Sequence, residues 1–252
     1  SLPYVDFGAR MYNPDWGRWF TQDPLAEKYY PWAPYCYCIN NPIKYVDPNG
    51  LDLQLAGTKE EQEMLLAMLQ RLTNYKLILH QNGTVTHSIV KTENKNSDYQ
   101  AGNTLLEQLC DQSSDTKTTT ISITDQKSIT HPADENAYNG VGSNAEIRFN
   151  PNENPSLITQ NEISKQVQQE GRPAYIGLAH ELIHGMHINA GVAKRKSVTV
   201  TPTIQGNGQK YTYIKPIPLE DAITVGLHGF LTNGPTENSI RKEHNLNVRL
   251  LY

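Results

Sequence analysis

The sequence predicts an α+β fold, in which strands and helices are both present but do not alternate. Two observations support this class. Segments with apolar residues at helical spacing occur beside short, β-branched alternating segments. These segments follow one another irregularly, whereas a parallel sheet requires a repeated order of strand, helix and strand. The 252 residues, 37% of them hydrophobic, are enough for one sizeable domain with a modest core and long polar connections.

Residues 1–51 are a separate segment by composition. They contain all three tryptophans and half of the fourteen tyrosines, together with several Asn-Pro and Asp-Pro steps. Proline fixes φ and keeps the preceding residue extended, so this segment is predicted to form short strands and tight turns. We therefore predict two domains, residues 1–51 and residues 52–252.

The second domain begins with a capping box, in which Thr58 is the N-cap and Glu61 reaches back to it. Apolar residues at helical spacing follow, so a helix is predicted over residues 59–73. Asn82-Gly83 is typical of a type I′ turn and would divide a hairpin over residues 76–90. A short helix and two strands are expected next, at residues 104–110, 118–124 and 145–149.

A longer helix is predicted from Pro173, which the first helical turn tolerates, to Ala190, with Gly191 ending it. Another hairpin and two short helices complete the domain. Their predicted ranges are 198–204 paired with 210–214, then 219–230 and 237–244.

Charge and hydropathy exclude two classes of function. The formal net charge of −4 gives no electrostatic case for binding nucleic acid. No segment has the ~20 consecutive apolar residues that a membrane span needs. Three cysteines are too few for a disulfide framework.

The predicted long helix carries the chemistry. His180-Glu181-Leu182-Ile183-His184 places two imidazoles at i and i+4, on one helix face. This spacing lets both rings reach one tetrahedral zinc ion. Glu181 would lie beside the metal without binding it, as the general base that takes a proton from water and passes it to the leaving amine.

A third zinc ligand has to come from elsewhere in the chain. His187 is on the same helix face, but the straight helix axis points it past the metal. The metzincin pattern requires Gly and His where this chain has His187 and Ala190, so that class is excluded. Glu220, at the start of a later helix, is the first choice, and the adjacent Asp221 is the second. A structural interpretation is also open, since both acids favour a helix N-terminus.

The His-Glu-x-x-His motif is typical of zinc peptidases, and such an enzyme also needs a groove for an extended substrate. An edge strand beside the active-site helix supplies such a groove, because the peptide adds to it as one more strand. Residues 145–149 precede the helix and are the candidate for this strand.

Residues 1–51 resemble the C-terminal end of the Rhs/YD-repeat core domain. The resemblance is carried by Tyr4–Tyr12, by Gly17–Pro24 and by Asn41–Leu51, which ends in Asp-Pro-Asn-Gly-Leu. It implies a β-shell around a variable C-terminal toxin, with the junction at Leu51. Some such cores cleave themselves after that leucine. Asp23 and Asp47 match acidic positions of this reaction, but Asn13 replaces a frequent Asp, and both acids are also typical turn residues before proline. Cleavage is therefore not predicted for the chain without its shell.

The second domain resembles the NleD-like effector metallopeptidases, a zincin family. The matching segments are 179–185, 220–226, 236–241 and 247–252. The resemblance implies a zinc peptidase with Zn²⁺ on His180 and His184, Glu181 as base, and a ligand at Glu220 or Asp221. It also implies that Asn238, Arg241, Arg249 and Tyr252 hold the C-terminal segment against the site, where one of them polarises the scissile carbonyl.

Together the two resemblances imply the C-terminal toxin of a larger bacterial protein, secreted or delivered into a target cell. Its expected partners are a protein substrate, the Rhs shell of the parent chain and an immunity protein. Two alternatives stay open. In the first, the chain is an inactive Rhs passenger with an adhesive or shell-binding role. In the second, the zinc is structural, and His187 or Asp221 closes the site as a fourth ligand.

Overall fold

The computed structural model describes two compact units, one of residues 1–51 and 113–116, the other of residues 52–112 and 117–252. Within the first fifty-two residues the described positions are 5–6, 11–13 and 18–19. The described part of the remainder is 53–88, 99–110, 117–201, 203–206, 209–212, 214–227, 229–230 and 232–251.

In the N-terminal unit, three short strands form an antiparallel sheet in the order β1-β2-β3. They are β1 Val5–Asp6, β2 Met11–Asn13 and β3 Arg18–Trp19. The candidate self-cleavage residues Asp23, Asp47 and Leu51 lie outside the described residues, so their roles remain predictions.

A six-stranded mixed sheet is the centre of the second unit. Its strands are β4 Leu53–Leu55, β5 Lys76–Leu79, β6 Thr84–Ser88, β7 Thr119–Ile123, β8 Ile129–Pro132 and β9 Ala145–Phe149. The order is β5-β6-β4-β7-β9-β8, with β4–β7 and β7–β9 parallel and the other pairs antiparallel. In β9 the buried Ala145, Ile147 and Phe149 alternate with the exposed Glu146 and Arg148, so one face of this strand is covered.

Helices cover that face. They are α1 Lys59–Leu72, α2 Gln100–Cys110, α3 Ala174–Asn189, α4 Leu219–Val225 and α5 Glu237–Glu243, with a 3-10 turn at Glu135–Tyr138. Helix α3 is buried from Tyr175 to Asn189 except at His184. It contacts strands β8 and β9, and it also contacts each of the other four helices. The core therefore surrounds the helix that carries the two histidines.

The remaining strands form three small antiparallel sheets, β11-β10-β16, β12-β15 and β13-β14. Their bounds are β10 Ser156–Gln160, β11 Val167–Gly171, β12 Ser197–Val200, β13 Thr203–Gly206, β14 Gln209–Thr212, β15 Lys215–Pro218 and β16 Val248–Arg249. Strand β16 brings the C-terminal segment beside β10.

The α+β class is confirmed, and so is the capping box, in which Glu61 N donates to Thr58 Oγ1 and Thr58 N donates to Glu61 Oε2. The predicted type I′ turn is wrong. Gly83 has φ of +87°, but Asn82 does not have positive φ, and His80 N bonds to Thr84 O across a three-residue loop. A single left-handed residue after a tight turn is typical of a bulged hairpin.

Two other boundaries differ from the prediction. The helix at 219–230 ends at Val225 because Gly226 adopts φ of +73° and terminates it. The strands of the predicted 198–214 hairpin do not all pair with one another, since β12 pairs with β15 outside the inner β13–β14 hairpin. Among the described residues, no helix combines the length and apolar character that crossing a membrane requires.

Candidate metal centre and active site

Three side chains bring possible metal ligands together at the centre of the second unit. His180 and His184 lie one turn apart on α3, with their Nε2 atoms 3.2 Å apart. Asp221, in the first turn of α4, places Oδ1 3.3 Å from His184 Nε2. One donor atom from each of the three residues falls within 4.8 Å of the others. Two neutral imidazole nitrogens and a carboxylate oxygen are a donor set that zinc prefers.

Glu220, the first choice for the third ligand, points to the neighbouring side of His184. Its Oε1 lies 2.5 Å from His187 Nδ1 and 3.5 Å from His184 Nδ1, and its Oε2 accepts from Lys194 N at 2.7 Å. Adjacent residues on a helix point about 100° apart, so only one of the pair faces the two Nε2 atoms. The geometry favours Asp221 as the ligand and Glu220 as a partner of the histidine rings.

Glu237 orients the first histidine. This fully buried carboxylate at the start of α5 places Oε2 2.9 Å from His180 Nδ1 and accepts from Arg249 Nη1 at 2.9 Å. A carboxylate on the outer nitrogen of a ligating histidine fixes its tautomer and ring orientation. Glu237 was not predicted from the sequence as a site residue. Its sequence signal, an acid just after the N-cap Thr236, is typical of any helix N-terminus.

Asn238, Arg241 and Arg249 form hydrogen bonds that tie the C-terminal segment to α5. Asn238 Nδ2 donates to Arg249 O, and Arg249 N donates to Asn238 Oδ1. Arg241 is fully buried and contacts Glu237, Glu170 and the carbonyl of Asn247, so it supports the site from behind and cannot reach a substrate. Arg249 lines the cavity described below. Tyr252 lies outside the described residues.

The candidate base, Glu181, is buried beside the histidines. Its Oε2 accepts a hydrogen bond of 2.7 Å from Thr130 Oγ1 on strand β8. Thr130 thereby restricts the carboxylate to one orientation while the other oxygen has no such contact within the described residues. The sequence analysis did not single out Thr130, because the contact spans 51 residues and depends on how the strand docks.

Electrostatics keep the acids of this cluster charged. Burial alone would raise the pKa of Glu237, but Arg249 and His180 hold that pKa well below its ordinary range. Burial likewise opposes ionisation of Glu220, yet hydrogen bonds from His184 and His187 lower its pKa to about 2. For His184, burial is outweighed by Asp221 and Glu220, which raise its pKa to about 9. Burial lowers the pKa of His180. The ionised acids favour a cation at this site, and a bound metal would displace the proton of His184, because a ligating imidazole is neutral.

A cavity of about 440 Å³ opens on these residues. Its lining includes His180, Glu181, His184 and Asp221, with Arg172 and Arg249 on another wall. A second cavity of about 90 Å³ lies beyond His184 and is lined by Pro132, Tyr138 and Ile188 among others. Thr130 lines both, so strand β8 passes along the mouth of the site.

The predicted substrate strand is wrong. Strand β9, residues 145–149, lies between β7 and β8 and has no unpaired edge for a peptide. At this end of the six-stranded sheet the edge strand is β8, which pairs with β9 alone among the described strands. The alternation of residues 145–149 shows a covered face but does not distinguish a central strand from an edge, whereas Pro132 at the end of β8 is typical of an edge strand.

The fold and site define a class, that of α+β metallopeptidases with an HExxH helix. The chain belongs to the Peptidase_M91 family, described as effector proteins, whose model matches residues 86–252. The protein is therefore a zinc metallopeptidase of an effector family. The family implies zinc, and the three donor atoms of His180, His184 and Asp221 fit it.

Other comparisons give weaker likenesses. The light chain of Clostridium botulinum neurotoxin serotype F has a TM-score of 0.42 and 18% identity, over 81% of this chain and 52% of that one. The serotype C1 light chain protease gives a TM-score of 0.30 and 16% identity, over 64% and 40%. The chain thus spans about half the length of these structures or less. Salivary gland surface protein 1 of Aedes aegypti is 44% identical over 45 residues, 18% of this chain and 1% of that protein.

Proposed function

We propose that the chain is a zinc-dependent endopeptidase that cleaves a protein of a target cell. His180, His184 and Asp221 hold the metal, and Glu181 is the general base. The observation that carries this proposal is the convergence of three donor atoms within 4.8 Å of one another, beside a buried glutamate and a large cavity. Among the described residues, His187 is engaged by Glu220, outside the group of three donor atoms, which favours a catalytic over a structural zinc.

The reaction assigns one task to each side chain. When bound, zinc would supply Lewis acidity, which lowers the pKa of a water and polarises the peptide carbonyl. Glu181 accepts the proton of the attacking water and then gives it to the leaving amine nitrogen. Thr130 keeps the Glu181 carboxylate aligned for both transfers, and Glu237 keeps His180 turned toward the metal. The edge strand β8 offers backbone groups to an extended substrate.

We further propose that residues 1–51 are the C-terminal end of an Rhs-type core and that residues 52–252 are its toxin. The sequence motifs given above support this assignment. It implies delivery into a target cell as part of a larger bacterial protein, an Rhs shell around the chain before release, and an immunity protein in the producing cell.

The first experiment measures metal content and cleavage on the same preparations. Protein purified without chelators is expected to contain about one zinc per chain by mass spectrometry, and His184→Ala is expected to lose it. Glu181→Gln is expected to keep the zinc but to lose about 10²- to 10⁴-fold in cleavage of a proteome-derived peptide library, since only the base is removed. Cleavage by Glu181→Gln at the parent rate would refute the proposed role of this glutamate.

A further inference from the structure

The guanidinium of Arg172 is a buried cation that the reaction described above does not use. Arg172 directly precedes the helix-starting Pro173 and is only 8% exposed, yet it lines the 440 Å³ cavity together with His180 and Glu181. Its backbone is fixed, because Arg172 N donates to Asn154 Oδ1 at 2.8 Å. Its Nε atom is buried without a hydrogen-bond partner, and within the described ranges its guanidinium forms no hydrogen bond or ion pair.

A buried charge without a partner is costly, so proteins pair nearly all such groups. The charge of Arg172 helps to lower the pKa of two acids, but both have other hydrogen-bond partners. Glu237 binds His180 and Arg249, and Glu153 accepts from the backbone nitrogen of Ser128. Glu153 lines the same cavity, but no carboxylate of the described residues forms an ion pair with the planar donor fork of Arg172. A carboxylate is the ligand that this fork matches in a bidentate manner.

The position of the guanidinium relates it to the reacting atoms. It lies against Gly177 of α3, where a Cβ added to the glycine would be 3.2 Å from Arg172 Nε and 3.4 Å from Nη2. Gly177 precedes Glu181 by four residues, or about 6 Å along the helix axis. Consecutive residues of an extended peptide are about 3.4 Å apart. Measured along the axis of α3, the guanidinium is thus offset from Glu181 by about the length of two extended peptide residues.

We propose that Arg172 binds a substrate carboxylate within two residues of the cleaved bond, so that this peptidase selects acidic sequences. The inference rests on the proposed function and adds a specificity residue to it. The carboxylate belongs either to an Asp or Glu side chain or to a chain terminus. For a peptide that adds antiparallel to β8, running from Pro132 toward Ser128, the recognised residue follows the cleaved bond.

The test measures binding, so it does not depend on catalysis. A positional-scanning peptide array, in which every peptide ends in an amide, is probed with the full chain carrying Glu181→Gln, both zinc-loaded and metal-free. Asp and Glu are expected to be preferred over Asn and Gln at one position. For two peptides that differ only by Glu or Gln at this position, the ratio of their affinities is expected to fall about 10- to 100-fold in Arg172→Gln.

Two further variants separate charge from geometry. Arg172→Lys keeps the charge but not the planar fork, and is expected to retain part of the preference. Lys127→Gln removes an exposed cation from the same cavity and is expected to change the preference less than about threefold. Thermal unfolding of each variant checks that it is folded.

The outcomes are distinct for the two proposals. The role of Arg172 is overturned if neither an acidic side chain nor a free C-terminus is preferred, or if the preference survives in Arg172→Gln. A second array with free C-termini identifies the source of the carboxylate, since a preference for the free terminus assigns Arg172 to the chain end. Failure of the zinc-loaded parent to cleave any peptide counts against the proposed function alone, because the binding preference is measured without cleavage.

Discussion

At the scale of single residues, the choice between Glu220 and Asp221 shows where sequence reasoning ends. Both are acids in the first turn of one helix, and each is a chemically suitable zinc ligand. Only the docking of α4 against α3 decides which of them faces the two Nε2 atoms. The sequence contains no local signal of that docking, whereas His180 and His184 are fixed relative to each other by the helix itself.

Neutralising each of these two acids in a separate variant tests which one binds zinc. Asp221→Asn is expected to weaken zinc binding at least about 100-fold, because a ligand charge is lost, while Glu220→Gln loses about 10-fold or less as an outer partner. Competition with a chelator of known affinity measures both values. The reverse order of effects would return Glu220 to the role of ligand.

Thr130 provides a test of how Glu181 is held. Thr130→Val keeps the shape of the side chain but removes the 2.7 Å hydrogen bond to Glu181 Oε2. We expect kcat to fall about 10-fold, with zinc content and KM nearly unchanged, because outer hydrogen bonds align the catalytic group without binding substrate. Thr130→Ser, which retains the hydroxyl, should recover most of the activity; equal losses in both variants would indicate a packing effect.

At the scale of elements, sequence patterns predicted those helices and strands that are determined by neighbouring residues. The capping box of α1, the alternation in β9 and the apolar run of α3 each depend on neighbouring residues. Strands β10 and β11 were not predicted because only three of their ten residues are apolar, too few to show a period of two. These strands are stabilised by pairing with each other and with β16, which their composition does not indicate.

The junction between α4 and α5 depends on one glycine. Gly226 ends α4 at φ of +73°, and a Cβ there would lie 2.7 Å from Oγ1 of Thr236, the N-cap of α5. Gly226→Ala is expected to lower the free energy of unfolding by more than about 2 kcal/mol, from backbone strain together with the clash.

Gly140→Ala is the matched control for this prediction. Gly140 also has positive φ, +87°, but a Cβ added there would have no atom within 4 Å. Its substitution should cost only the conformational strain, about 1–2 kcal/mol. Urea unfolding of the two variants measures the difference, and equal losses would show that Thr236 makes room without cost.

At the scale of the whole molecule, His244 joins three helices and makes stability depend on pH. Its ring contacts Tyr99, before α2, and Tyr175 of α3, with centroids 5.1 and 5.0 Å away. Burial, and then the charge of Arg71, lower the pKa of His244 below its ordinary value. The unfolded chain therefore binds this proton more tightly, and stability is lost as the pH falls from about 6.5 toward the folded pKa.

Replacing the ring tests this dependence. In His244→Phe, which keeps an aromatic contact between the tyrosines, the free energy of unfolding should decrease less between pH 7 and pH 5 than in the parent. Denaturant unfolding at several pH values gives the two slopes. Identical slopes would mean that His244 is protonated as easily in the folded protein as in the unfolded chain.

The contacts of Glu237 also impose an order in time. The helix with both histidines is synthesised first, whereas the carboxylate that turns His180 follows 57 residues later and its partner Arg249 follows 69 residues later. A ribosome-bound chain that ends before Glu237 therefore has the complete HExxH motif but lacks both groups that align it. The cell that makes this peptidase is thus exposed to an aligned active site only after Arg249 has been synthesised.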